Sequence, residues 1–171
     1  MRLLATVLAL TLASAPASAL AATPWQVNVP AHLQLVKALR SHGVAVSWGL
    51  RYCDGKNNGT YNSRTRSIKI CRRGNQWTAD DLDTLRHEAI HVLQDLRDCK
   101  LGNLALHRLT DDGQLERLLN STNLNTQAII NAYAASGASR HIILLELEAW
   151  KGASTTTASD IAEILENVSC K

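Results

Sequence analysis

No phenylalanine occurs in the 171 residues, and the only methionine is Met1. Aromatic residues make up 4% of the chain, so Leu, Ile, Val and Trp must build the core. Charge of one sign is also scarce. Eighteen Lys and Arg face 15 Asp and Glu, a formal net charge of +3. That small excess, with the signs mixed, gives no footing for a nucleic-acid partner. No Cys-x-x-Cys pair is present, so a cysteine-rich zinc knuckle has no support. Repeats and low-complexity blocks are missing too. With 46% apolar and 19% charged residues, the composition excludes a disordered chain, a collagen-like repeat and a long coiled coil.

Near the start, Arg2 precedes an uncharged run from Leu3 to Leu12. Small residues follow, through Ala17-Ser18-Ala19 to Leu20-Ala21. This is the layout of a secretory signal peptide, and the run is too short to span a bilayer. Residues 1–21 are therefore expected to be a signal, and residues 22–171 a single exported domain, extracellular or periplasmic. No stable membrane insertion is expected after signal removal, and the sequence is silent on oligomeric state. In an oxidising compartment the four cysteines read as two disulfides. Cys53 and Cys71 flank a hairpin-like stretch, which leaves Cys99 with Cys170 to staple the tail. Each closure is worth about 2–4 kcal/mol.

Helical spacing at Leu35, Ala38 and Leu39 predicts a helix over 31–42, stopped by Gly43. Val44, Val46, Trp48 and Leu50 alternate, which predicts a strand over 44–52. Residues 54–59 are a turn cluster, and 67–71 fit a short strand. Thr78 or Asp80 caps a helix running to about Leu96. Further helices are expected over 111–120, 125–135 and 139–151. A linker over 152–159 follows, then a last helix capped by Ser159 or Asp160. The fold class is α+β and helix-rich, with a small antiparallel or mixed sheet ahead of the main helices.

The chemistry concentrates in His87-Glu88-Ala89-Ile90-His91. Imidazoles four residues apart stack on one helix face and can converge on one zinc ion. Glu88 lies to the side, in reach of a water at that ion. Leu85, Ala89, Val92, Leu93 and Leu96 fall on the opposite side of the wheel, so the histidines can floor a cleft. Two histidines need a third ligand. Glu146, Glu148, His141, His107, Asp95 and Asp98 are the candidates. A helical wheel for 139–151 puts Glu146 among Ile142, Ile143, Ala149 and Trp150, and Glu148 on the wetter side near His141 and Lys151. A buried, unpaired carboxylate is costly, and a metal ion removes that cost. Glu146 is the favoured ligand, with Glu148 its competitor. The alternative is that Glu146 pairs with Arg86 or Arg140.

His87, Glu88 and His91 resemble the HExxH of zincin metallopeptidases, and Glu146 with Ala149 resembles the ExxA of their glutamate-ligand group. Trp150 stands where some of those families have Asp. The methionine-turn group does not fit, because Met1 is the only methionine. The resemblance implies hydrolysis of peptide bonds, a zinc cofactor and a peptide or protein substrate. His87, His91 and Glu146 would hold the metal and Glu88 would act as general base. Tyr133 or His141 would stabilise the oxyanion, and Asp95 or Asp98 would orient a ligand histidine. A substrate strand is expected along the sheet edge near Ile68–Ile70. Two other classes stay open: a zinc amidase acting on a cell-wall amide, and a disulfide-stapled binding module with a structural metal. A basic run (Arg51, Arg64, Arg66, Lys69, Arg72, Arg73) faces either an acidic substrate or simply solvent.

Overall fold

The computed structural model describes residues 28–55, 57–120 and 125–168. The expected signal segment lies outside these residues, as does Cys170. Helix α1 (Val29–Ser41) begins two residues earlier than its apolar spacing suggests, because the Asn28 side chain accepts the Ala31 N–H at 3.2 Å. Gly43, at φ +77°, turns the chain into β1 (Ala45–Gly49). The expected strand over 44–52 stops at Gly49, where φ reaches +142°. A single 3₁₀ turn (Leu50–Tyr52) follows, and Leu50 is 68% exposed rather than part of the alternating face.

Strands β2 (Gly59–Asn62) and β3 (Ser67–Cys71) form the hairpin. The Asn62 carboxamide accepts the Thr65 N–H inside the turn. β3 then inserts between the other two strands, parallel to β1 and antiparallel to β2, so the sheet is mixed with order β1-β3-β2. Ile68 and Ile70, expected near an edge, lie on this central strand and are fully buried. The open edge beside the helices is β2.

The Cys53–Cys71 disulfide ties the turn after β1 to the end of β3. It is the disulfide seen among the described residues; the expected partner of Cys99 lies outside them.

Helices α2 (Ala79–Leu96), α3 (Asp112–Asn120), α4 (Thr126–Ala135), α5 (Arg140–Thr155) and α6 (Ala158–Asn167) follow. The core joins Leu35 and Leu39 of α1, Val46, Ile68 and Ile70 of the sheet, Leu85, Ala89 and Val92 of α2, and Ile161 and Leu165 of α6. The stretch expected as a linker over 152–159 is mostly helix. α5 runs through Gly152 to Thr155, and Thr157, not Ser159 or Asp160, caps α6 with Asp160 closing a capping box. At Gly152 helices α5 and α2 come close: a Cβ there would lie 3.2 Å from Ile90 Cδ1. With fully buried Ala149 and Ala153, this glycine lets α5 press against α2.

Candidate metal centre

Thr78 starts α2 in a reciprocal capping box. Its hydroxyl accepts the Asp81 N–H, and the Asp81 carboxylate accepts the Thr78 N–H. From that fixed start, the apolar stripe turns Leu85, Ala89 and Val92 into the core. His87 and His91, one turn apart, come to face the start of β2 and the middle of α5. There they meet Glu146. The two Nε2 atoms are 3.1 Å apart, and Glu146 Oε2 is 3.3 Å from His87 Nε2 and 3.5 Å from His91 Nε2. Ligands at zinc-like bond lengths in a tetrahedron stand about 3.3–3.6 Å apart, so the triangle has the size of one face of such a site.

The cluster matches the HExxH-plus-distal-glutamate arrangement of zincins. Comparison of the chain with protein-family models, curated proteins and solved structures gives no match. The assignment therefore rests on the site itself.

The donor chemistry passes a further test. Gln94 is fully buried, and its amide nitrogen faces two groups that only accept: the Leu145 carbonyl at 3.0 Å and Glu148 Oε2 at 3.0 Å. Its Oε1 must then point the other way, at His91 Nδ1, 2.8 Å away. His91 therefore carries a proton on Nδ1, and Nε2 is the atom turned toward His87 and Glu146. Without a metal, a proton on His91 Nε2 bridges the 3.5 Å to Glu146; a divalent ion in its place would take both atoms as donors. The residues present fit a divalent metal.

Around this triangle lies a cleft of about 260 Å³, lined by Asn57, Gly59, Thr60, Tyr61, Glu88, Leu106 and Tyr133 as well as the three cluster residues. Glu88 is buried at its floor. Burial pushes its carboxyl above the usual range, the two histidines pull it back, and Glu146 pushes it up again. Glu146 behaves oppositely. Burial alone would raise it, but hydrogen bonds from His87, His91 and Tyr133 hold it well below the carboxylate range. Tyr133, from α4, donates its O–H to Glu146 Oε2 at 2.6 Å. Burial and that carboxylate keep the phenol protonated, above its ordinary value. Trp150, one turn beyond Glu146, packs its ring 4.6 Å from that of His87.

Several sequence-level expectations land elsewhere. Glu148, the rival ligand, is on the buried side of α5, not the wet side, and is 2% exposed. Its carboxylate accepts from Gln94, Arg108, the Leu109 and Thr110 backbone and the Thr110 hydroxyl. It anchors the 106–111 segment that carries Leu106 to the cleft. His141 is exposed, with Nε2 at 3.1 Å from the Leu106 carbonyl, and does not line the cleft. Asp95 binds the Tyr61 hydroxyl at 2.6 Å and the Gly102 N–H, and Asp98 sits 3.5 Å from His107; neither orients a cluster histidine. Arg86 bonds the Ala153 carbonyl, His32 and Asp83, so it does not pair with Glu146.

Two residues escaped the sequence reading. Gln94 had a visible signal, a polar side chain three residues beyond His91 within the stripe Val92-Leu93-Leu96. Gly59 had none beyond its place in a turn cluster. A Cβ on Gly59 would stand 2.4 Å from Thr84 Cγ2 and 3.1 Å from Glu88 Oε1, so only glycine lets β2 lie this close over Glu88.

Proposed function

We propose that the protein is an exported zinc peptidase that cleaves an extended peptide laid along the open edge of β2. The observation that carries the reading is the convergence of His87, His91 and Glu146 beside a buried Glu88. In this reading His87 and His91 hold the ion through Nε2 and Glu146 through Oε2. When bound, zinc supplies Lewis acidity that makes water a competent nucleophile near neutral pH. Glu88 is placed to take the proton from the attacking water. From the same position it can pass that proton to the leaving amine nitrogen. Tyr133, held protonated, is an O–H donor for the negative charge that builds on the substrate carbonyl oxygen.

The edge itself supports the substrate pose. The Cys71 N–H donates to the Asn58 carbonyl at 2.7 Å. By antiparallel alternation, Asn58, Thr60 and Asn62 direct their backbone groups at β3, and Gly59 and Tyr61 direct theirs outward. A substrate strand would bond to those outward groups. Export is supported by the signal-like residues 1–21 and by a disulfide. No helix among the described residues is long and apolar enough to cross a membrane.

The test is elemental analysis of the purified protein together with digestion of a peptide library. Bound zinc with endopeptidase cuts is expected. Glu88→Gln should keep the zinc and lose at least about a hundredfold in turnover. A fully active Glu88→Gln protein refutes the mechanism, and zinc without hydrolysis of any peptide turns the reading toward a binding module.

A further inference from the structure

Around the edge of β2 from the cleft, on the outer face of the sheet, is a second pocket of about 280 Å³. The two cavities share Asn57, Gly59 and Thr60. Strand register explains why they open on opposite faces. Tyr61 and Gly59 pair with Ile68 and Ile70 on the face that packs against α2, whereas Thr60 pairs with Lys69, which in turn pairs with Ser47, on the other.

This outer pocket is basic. Arg51 and Lys69 line it, and neither forms an ion pair among the described residues. Tyr52 stands between them, with the Arg51 guanidinium 4.8 Å and the Lys69 ammonium 5.9 Å from its ring centroid. A hydrogen bond with Ser47, then the field of Arg51 and Lys69, draws the Tyr52 phenol below its ordinary value. Asp54 is the one acid in the wall, and its carboxylate accepts the Asn57 N–H at 2.9 Å. The disulfide at Cys53 fixes the turn that presents Arg51 and Tyr52 over the sheet.

A strand added to β2 sends alternate side chains to opposite faces. The residue opposite Gly59 or Tyr61 faces the cleft, and the residue opposite Thr60 faces the outer pocket. We propose that this outer pocket is a substrate subsite for an acidic side chain, so that the protein selects peptides with Asp or Glu one residue away from the residue entering the cleft. The proposal rests on the peptidase reading for the substrate's course, but its recognition step is binding and does not require cleavage.

The test uses peptides blocked at both ends, so that only a side chain carries the charge, with Glu or Gln placed at each position in turn. Their binding to zinc-loaded Glu88→Gln protein is read by fluorescence anisotropy, and their cleavage by the unmodified protein is read as kcat/KM. Binding roughly three- to tenfold tighter for Glu than for Gln is expected at one position of the register, weakening with salt. The exposed substitutions Arg51→Glu and Lys69→Glu should reverse the preference without changing zinc content. Equal binding of Glu and Gln peptides at every position, or no peptide binding at all, overturns the subsite. Cleavage with no acidic preference overturns it and leaves the peptidase intact. An acidic preference in binding with no hydrolysis by the unmodified protein leaves the subsite and removes the peptidase.

Discussion

Replacing Gln94 by Met keeps the volume of the side chain and removes its polar end. Three hydrogen bonds go with it, to His91 Nδ1, the Leu145 carbonyl and Glu148. Glu148 keeps Arg108, Leu109 and Thr110, so its loss is small. The His91 N–H is left without a buried partner, at about 1–3 kcal/mol, whereas the Leu145 carbonyl keeps its bond within α5. Metal-free protein should therefore lose about 1–3 kcal/mol of unfolding free energy. Loss of the partner that sets a ligand histidine's tautomer costs roughly 10–100-fold in metal affinity, or about 1.4–2.7 kcal/mol. Zinc affinity is to be measured by competition with a chelating indicator, and stability by urea unfolding with and without zinc. The Gln94→Glu protein separates the two roles. Its carboxylate still accepts from His91 but cannot donate to Leu145 and faces the Glu148 charge. It should hold zinc better than Gln94→Met yet be no more stable without metal. A Gln94→Met protein that binds zinc within about twofold of the original would refute the argument that Gln94 sets the His91 lone pair.

Gly59→Ala should push β2 off Glu88, lowering turnover and costing about 1–3 kcal/mol of stability. Adding Thr84→Ser, which deletes the Cγ2 that the new Cβ meets at 2.4 Å, should restore much of both, as followed by peptide cleavage and thermal melting. Tyr133→Phe removes the O–H that reaches Glu146. Steady-state kinetics should show kcat falling by about 10–1,000-fold with zinc retained, and an unchanged kcat would exclude Tyr133 from the reaction. Substituting both Cys53 and Cys71 by Ser opens a loop closed across a separation of 18 residues and should cost about 3 kcal/mol in denaturant titration. Because β2 lies inside that loop, peptide binding should weaken as well.

The helices were legible where one stripe met one core. The Leu35–Leu39 and Leu85–Val92 stripes are buried as their periodicity says, and the HExxH face turns away from them into a cleft. The sheet was harder to read. Alternation marks a strand but carries no information about its neighbours, and β3 sits centrally only because β1 and β2 both pair with it. The segment expected at the sheet edge, Ile68–Ile70, is therefore on the central strand. Gly49 ended β1 early by a backbone angle that a side-chain pattern does not register.

The two glutamates of α5 show why the site was only partly legible. The wheel was right to separate Glu146 from Glu148 and wrong about which one is dry. It took Ile142, Ile143 and Trp150 as the buried face, yet Ile142 is exposed and the stripe pressed on α2 is Leu145, Glu148, Ala149, Gly152 and Ala153. Small residues define that stripe because the helices approach closely, and a hydrophobicity wheel gives small residues little weight. Glu146, with a side chain 17% exposed, comes to the cluster from the cleft side, while Glu148 is neutralised by Arg108 and four uncharged donors instead of by an ion. Burial of a carboxylate therefore does not single out the acid that joins the two histidines. What does is the direction of the donor atoms, and Gln94 joins the two acids into one arrangement: Glu148 orients the amide, the amide orients His91, and His91 Nε2 is left facing Glu146 and His87 Nε2.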